Sequence, residues 1–207
     1  MSRISTIFLL FFLLPTSVLA HQGPLDVYGC HHNKKLNLHE CHEGRLQGQV
    51  FLNEEDQLDG FKEKLKNSGL IFGKVVAVID GDTIKLWKSP GVIKIGLSGI
   101  DSPEKKQPYG EEAAQFLSDM VLNKYVIIKP MTGRHLGRVI SEVLLPDGRM
   151  LSKELLKAGL AWWDKPHSKD ASLNELQKEA NRGKRGLWQE HDPVPPWKFR
   201  EINKRKK

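Results

Sequence analysis

Residues 73–101 read GKVVAVIDGDTIKLWKSPGVIKIGLSGID. GKVVAVID is rich in β-branched residues and stops at Asp80-Gly81, a turn signal. TIKLW (83–87) places Ile84 and Leu86 on one face. VIKIGLSGI (92–100) alternates, with Ile93, Ile95 and Leu97 inward and Lys94, Gly96 and Ser98 outward. Downstream, Ala113, Phe116, Leu117, Met120 and Val121 recur at helical spacing within 109–124. YVIIK (125–129) and VISEVLL (139–145) read as two more strands, and Pro146-Asp147-Gly148 as a turn. SKELLKAGLA (152–161) reads as a helix stopping near Gly159. A last helix is expected over roughly Ser172–Asn181, with Ser172 and Glu175 spaced as a capping box. Five strands interrupted by helices give an α+β class: a five-stranded OB-type β-barrel with about three helices.

The chain of 207 residues is long enough for one such domain and a small appendage. Its 39% apolar and 28% charged residues exclude wholesale disorder, and two cysteines exclude a disulfide-dense scaffold. A net charge of +7 suits a polyanionic partner, nucleic acid or an anionic membrane surface. Residues 1–20, MSRISTIFLLFFLLPTSVLA, read as a signal peptide: Arg3, an apolar run from Ile7 to Leu14, then Val18 and Ala20 before a cut expected after Ala20. The apolar run is too short to span a bilayer, and no later stretch is long enough. A secreted or periplasmic location follows as an expectation.

Residues 21–50 form a His/Cys-rich segment. Cys30, His31, His32, His39, Cys41 and His42 crowd together there. Two readings stand: a Cys30–Cys41 disulfide, favoured by export, or a Zn²⁺ site built from thiolates and imidazoles. In 51–70, Leu58, Phe61 and Leu65 fit a linker helix. The main domain is expected over 71–191, followed by a Pro/Trp-containing basic tail over 192–207.

Two acidic turns carry the candidate chemistry. Asp80-Gly81-Asp82-Thr83 and Asp101-Ser102-Pro103-Glu104 flank one strand, so strand pairing brings them together. Carboxylates on such loops are hard oxygen ligands of the kind that Ca²⁺ or Mg²⁺ takes.

VIDGDTIKL, GLSGIDSPE, YGEEA, LGR and GLAWW fall in the order and spacing of the thermonuclease family, the staphylococcal-nuclease-like OB-fold nucleases, which the chain resembles over roughly 71–200. The ending RGLW…DPVPPWKFR is also similar to members of that family. The resemblance implies a Ca²⁺-dependent nuclease, a phosphodiesterase acting on DNA and RNA. It places metal carboxylates at Asp82 and Asp101, a main-chain carbonyl ligand at Ser102, the catalytic glutamate at Glu104 and a phosphate-binding arginine at Arg138. It further implies products that keep phosphate on the 3′ side. A monomer is expected.

Three positions depart from the pattern. Gly96 stands where the family has an arginine, Leu136 where it has a tyrosine, and Asp164 where a second phenol follows GLAWW. Losing one donor to a developing oxyanion typically costs ~10²–10³ in rate, so a weakened nuclease is expected. Lys94, Arg134 and His135, with Lys105 and Lys106, are the candidate replacement cations, and Gly96→Arg is expected to raise activity. The alternative is a non-catalytic OB-fold module that binds nucleic acid by charge and by stacking on Trp87, Trp162 or Trp163. Glu104 favours the enzyme and Gly96 the module.

Overall fold

The computed structural model describes residues 24–26, 28–33, 38–47, 50–51, 59, 65, 69–88, 90–135 and 137–204. The expected signal peptide lies outside them. So does most of the expected linker helix, of which Asp59 and Leu65 are described and helical.

Near the start, β1 (Cys30–Asn33), β2 (Leu38–Cys41) and β3 (Val50–Phe51) make an antiparallel three-stranded sheet. The barrel follows. β4 (Ile71–Asp80), β5 (Thr83–Lys88) and β6 (Gly91–Leu97) are joined by tight turns, and β7 (Ile100–Asp101) comes next. Helix α1 (Gly110–Val121) leads to β8 (Tyr125–His135) and β9 (Arg138–Leu144). The barrel closes in the order β4-β5-β6-β9-β8, with β6 and β9 parallel and the other neighbours antiparallel. Two register shifts in β4, after Val75 and after Val78, add the local twist that closure requires. Helix α2 (Leu151–Ala158), β10 (Trp162–Trp163), α3 (Ala171–Arg182) and α4 (Pro196–Lys204) complete the chain, with a 3₁₀ turn at Gly186–Gln189. None of the described helices is long and apolar enough to cross a membrane.

The alternation read from the sequence builds the core. Val75, Ile84, Leu86, Ile95, Val126, Ile128 and Val143 fill the barrel, closed by Leu117 of α1 and Leu151 and Leu155 of α2. Each such side chain contributes about 1.5–3 kcal/mol when fully buried. Strand β8 is apolar on both faces because both are covered. Val126 and Ile128 face the barrel, while Ile127 packs with Cys30, Cys41 and Leu65.

Among the described residues, helices α1 to α4 agree with the expected barrel with about three helices, α4 being carried by the 192–207 tail. Two sequence expectations change in detail. Helix α3 is capped by Asp170, whose Oδ1 accepts from the Ser172 amide at 2.9 Å, so Ser172 lies inside the helix. Gly96 and Ser98, expected outward, are buried. The end of β6 is covered by β9, where Ser98 N donates to Ser141 O, and by the Arg138 side chain over Gly96.

Candidate active site

The turn from β4 to β5 positions the first acids. A Cβ at Gly81 would sit 2.6 Å from Ala113 Cβ and 2.8 Å from Ser102 Cβ. Only glycine lets this turn press against both α1 and the second acidic loop. Asp82 is 7% exposed and fully engaged. Its Oδ2 accepts from Ser102 N at 3.0 Å. Its Oδ1 accepts from Thr83 Oγ1 at 2.8 Å and from Arg138 Nη1 at 2.8 Å. Arg138 Nη1 also donates to Thr83 Oγ1 at 2.6 Å. Burial, and then the Asp82 charge beside it, pushes the Asp80 carboxyl up to about 6.

The second acidic loop begins at β7. Asp101 is held by pairing with Trp162 of β10. Burial raises the Asp101 carboxyl above its ordinary range, outweighing a guanidinium that pulls the other way; the charges of Asp82 and Asp164 push it further up. That guanidinium is Arg200 of α4. Its Nη2 donates to Asp101 Oδ2 at 2.6 Å, and its Nη1 donates to Asp101 Oδ1 at 3.1 Å and to Glu104 Oε1 at 2.8 Å. Hydrogen bonding to Asp101 is the main cause of the upward shift of Arg200 itself.

Helix α4 reaches this place through contacts separate from the ion pair. Trp197 meets the Trp162 ring edge-on, with centroids 5.8 Å apart, and Trp162 meets Trp188 likewise at 4.5 Å. The buried Gln107 side chain links both parts. Its Nε2 donates to Val194 O, two residues before α4, and its Oε1 accepts from Glu104 N at 3.1 Å. An apolar cleft lined by Pro103, Tyr109, Trp162, Leu187 and Phe199 runs beside these contacts.

The structure therefore gathers Asp82, Asp101, Ser102, Glu104 and Arg138, the residues singled out in the sequence, with Asp80 of the first acidic turn, and adds Gln107 and Arg200. Arg200 was hidden in a basic tail. Its one sequence signal was Pro195-Pro196 followed by Trp197 and Phe199, the mark of a helix start with aromatic anchors. Lys94 is exposed and lies opposite Lys85 on β5. Arg134 and His135 end β8, paired with Val139 and Arg138 in register, and their side chains are outside the described residues, as is Leu136.

Gly96 is not simply a gap. A Cβ there would lie 2.9 Å from Ile140 Cδ1 and 3.1 Å from Arg138 Cδ. Arg138 lies across the space that a side chain at 96 would enter. A side chain at 96 would therefore have to shift Ile140 and Arg138, the arginine already on Asp82.

In the N-terminal sheet, Cys30 and Cys41 are register partners and form a disulfide. A site using their thiolates for Zn²⁺ is overturned, because oxidised sulfurs are not available as ligands. His32 and His39 stack on each other, and His31, Glu40 and His42 gather together.

The central donor set suits a hard divalent cation. Asp82, Asp101 and Glu104 meet two guanidiniums, and with Asp80 beside Asp82 the four carboxylates leave an excess of two negative charges when all are ionised. Arg138 Nη1 and Arg200 Nη2 donate to Asp82 Oδ1 and Asp101 Oδ2, and a carboxylate has lone pairs enough to accept these bonds and take a cation as well.

A family model for staphylococcal nuclease homologues matches residues 94–190. That span holds Asp101, Glu104 and Arg138, with Asp82 before it and Arg200 after it. An uncharacterized endonuclease of Escherichia coli is 41% identical over 130 residues, 63% of this chain and 85% of that protein. A micrococcal nuclease of Shigella flexneri is 33% identical over 64% of this chain and 82% of its own. Staphylococcal-like nuclease CAN1 of Arabidopsis thaliana is 39% identical over 54% of this chain and 34% of its own.

Proposed function

This chain belongs to the family of staphylococcal nuclease homologues, and from that premise we propose that it is a nuclease hydrolysing phosphodiester bonds of DNA and RNA with Ca²⁺. The observation that carries this reading is the gathering of Asp82, Asp101 and Glu104 around two guanidiniums at one end of the barrel. Bound Ca²⁺, held by Asp82, Asp101 and the Ser102 carbonyl, would neutralise a phosphate oxygen.

The chain's own groups do the rest. Glu104 accepts the proton of the attacking water as the new P–O bond forms. Arg138 donates to a non-bridging oxygen and stabilises the charge that grows on it. The 5′ oxygen leaves with the electron pair of the broken P–O bond and is protonated, so phosphate stays on the 3′ side. The glycine at position 96 removes one donor from this scheme, a cost of ~10²–10³ in rate unless another group takes its place. We further propose export directed by residues 1–20 with cleavage after Ala20, checked by the mass of the exported protein.

The test is cleavage of single-stranded DNA and RNA by the purified protein with Ca²⁺, with chelator, and with Glu104→Gln. Calcium-dependent cutting that Glu104→Gln abolishes supports the proposal. Folded protein that binds nucleic acid without cutting it would replace the enzyme with a binding module.

A further inference from the structure

We propose that Arg200, carried by the C-terminal helix, binds the reacting phosphate in place of the side chain absent at Gly96. The proposal rests on the nuclease reading. Strand β6 offers no cation at position 96, and Arg138 fills the space above it. The guanidinium of Arg200 stands instead between Asp101 and Glu104, within 3.1 Å of both. It is 40% exposed, so a phosphate arriving from solvent can reach it.

A surface ion pair adds little to stability, and α4 is already seated by Trp197 on Trp162 and by Gln107 on Val194 O. The fork is held ready rather than used as the helix anchor. Without substrate, Nη1 covers Glu104. When a phosphodiester enters, Nη1 exchanges the Glu104 carboxylate for a non-bridging oxygen, which frees Glu104 to accept the proton from water. Nη2 stays on Asp101 and keeps the planar fork oriented.

The experiment compares wild type, Arg200→Lys and Arg200→Ala by kcat and KM with Ca²⁺, and by oligonucleotide affinity in chelator. Thermal melting checks folding. Arg200→Ala is expected to lower kcat by about 10²–10³ and to weaken metal-free binding at least tenfold. Arg200→Lys should recover only part, since it lacks the fork. An Arg200→Ala rate equal to or above wild type overturns the proposal while leaving the nuclease reading in place. If wild type does not cut, the nuclease reading fails, and the affinity measurement decides: unchanged binding in Arg200→Ala overturns an anion-binding role, and weakened binding upholds it.

The N-terminal hairpin carries a second inference on separate observations: we infer a Zn²⁺ site made by His31, Glu40 and His42. His31 and Glu40 are direct register partners, and His42, two residues beyond Glu40, lies on the same face. Glu40 Oε2 is 4.0 Å from both His31 Nε2 and His42 Nε2, and the ligand atoms all lie within 4.8 Å of one another. His31 is 6% exposed, and among the described residues neither of its ring nitrogens has a hydrogen-bond partner; His42 Nε2 is likewise buried without a partner among them. Buried polar atoms without partners are costly, and a cation would take His31 Nε2 and His42 Nε2. Two imidazoles and a carboxylate are a Zn²⁺ ligand set with a fourth position open, and the donors need to close by only about 1 Å to reach bonding distances. The Cys30–Cys41 disulfide fixes the register that assembles them.

Titration of the oxidised protein with Zn²⁺ alone tests it. One ion per chain is expected, with at least tenfold weaker binding in His31→Ala and in His42→Ala, and no change in Asp82→Asn. Absence of binding, binding that appears only after reduction of the disulfide, or binding retained when both histidines are replaced would overturn it.

Discussion

The two halves of the central site are built in different ways. Asp82, Asp101, Glu104 and Arg138 are fixed by strand register and tight turns of the barrel. Arg200 arrives from 96 residues beyond Glu104, placed by one aromatic contact and one glutamine. The barrel half is set by local geometry, which sequence motifs record. The helix half is set by tertiary packing, which they record poorly. The family model stops at residue 190, before the helix half begins.

The variants that probe this contrast differ in size. Glu104→Gln should have the largest effect, about 10²–10⁴ in kcat, with unchanged melting, because the general base is removed and little packing is lost. Arg138→Ala should follow at about 10²–10³. It should also loosen the first acidic turn, since Asp82 and Thr83 both lose a donor. Gln107→Ala tests the joint between the halves. It leaves Glu104 N and Val194 O without their shared partner, so kcat should fall about tenfold and stability by about 1–2 kcal/mol. A fall in kcat as large as that of Glu104→Gln would mean that the halves are not separable. Gly96→Arg should lower activity modestly by displacing Arg138, and a clear rise would show that the space above Gly96 is open after all.

The smallest expected effect concerns pH. Burial and Asp82 hold Asp80 protonated up to about 6, above its unfolded value. The folded state then binds the extra proton between roughly pH 4 and pH 6, and stability of the metal-free protein falls as pH rises through that window. The change should be at most about 3 kcal/mol. Asp80→Asn should flatten it in melts taken across the window.

Much of the barrel was legible because each strand alternates or is continuously apolar for a reason that burial confirms. The limits came where a second layer covers a surface. Gly96 and Ser98 alternate outward, yet Arg138 and β9 cover them. Ser172 has the spacing of a cap, but Asp170 two positions earlier takes the role by accepting from the Ser172 amide. The paired acidic turns were visible because one opens β5 and the other follows the end of β6, its antiparallel neighbour. Arg200 was one cation among many in a basic tail, and the packing of Trp197 on Trp162 and the Gln107–Val194 hydrogen bond distinguish it. The disulfide and metal readings of the hairpin both claimed Cys30 and Cys41. Register separates them, with cysteines paired on one face and His31, Glu40 and His42 on the other.

The central claim is that both halves act on one phosphate. A double-mutant cycle of Arg138→Ala and Arg200→Ala on single-turnover, calcium-dependent cleavage tests it most directly. The account predicts strong non-additivity, with the double variant scarcely slower than the poorer single one, because the two guanidiniums work as a unit. Effects that multiply in full, or an Arg200→Ala variant as fast as wild type, would contradict it.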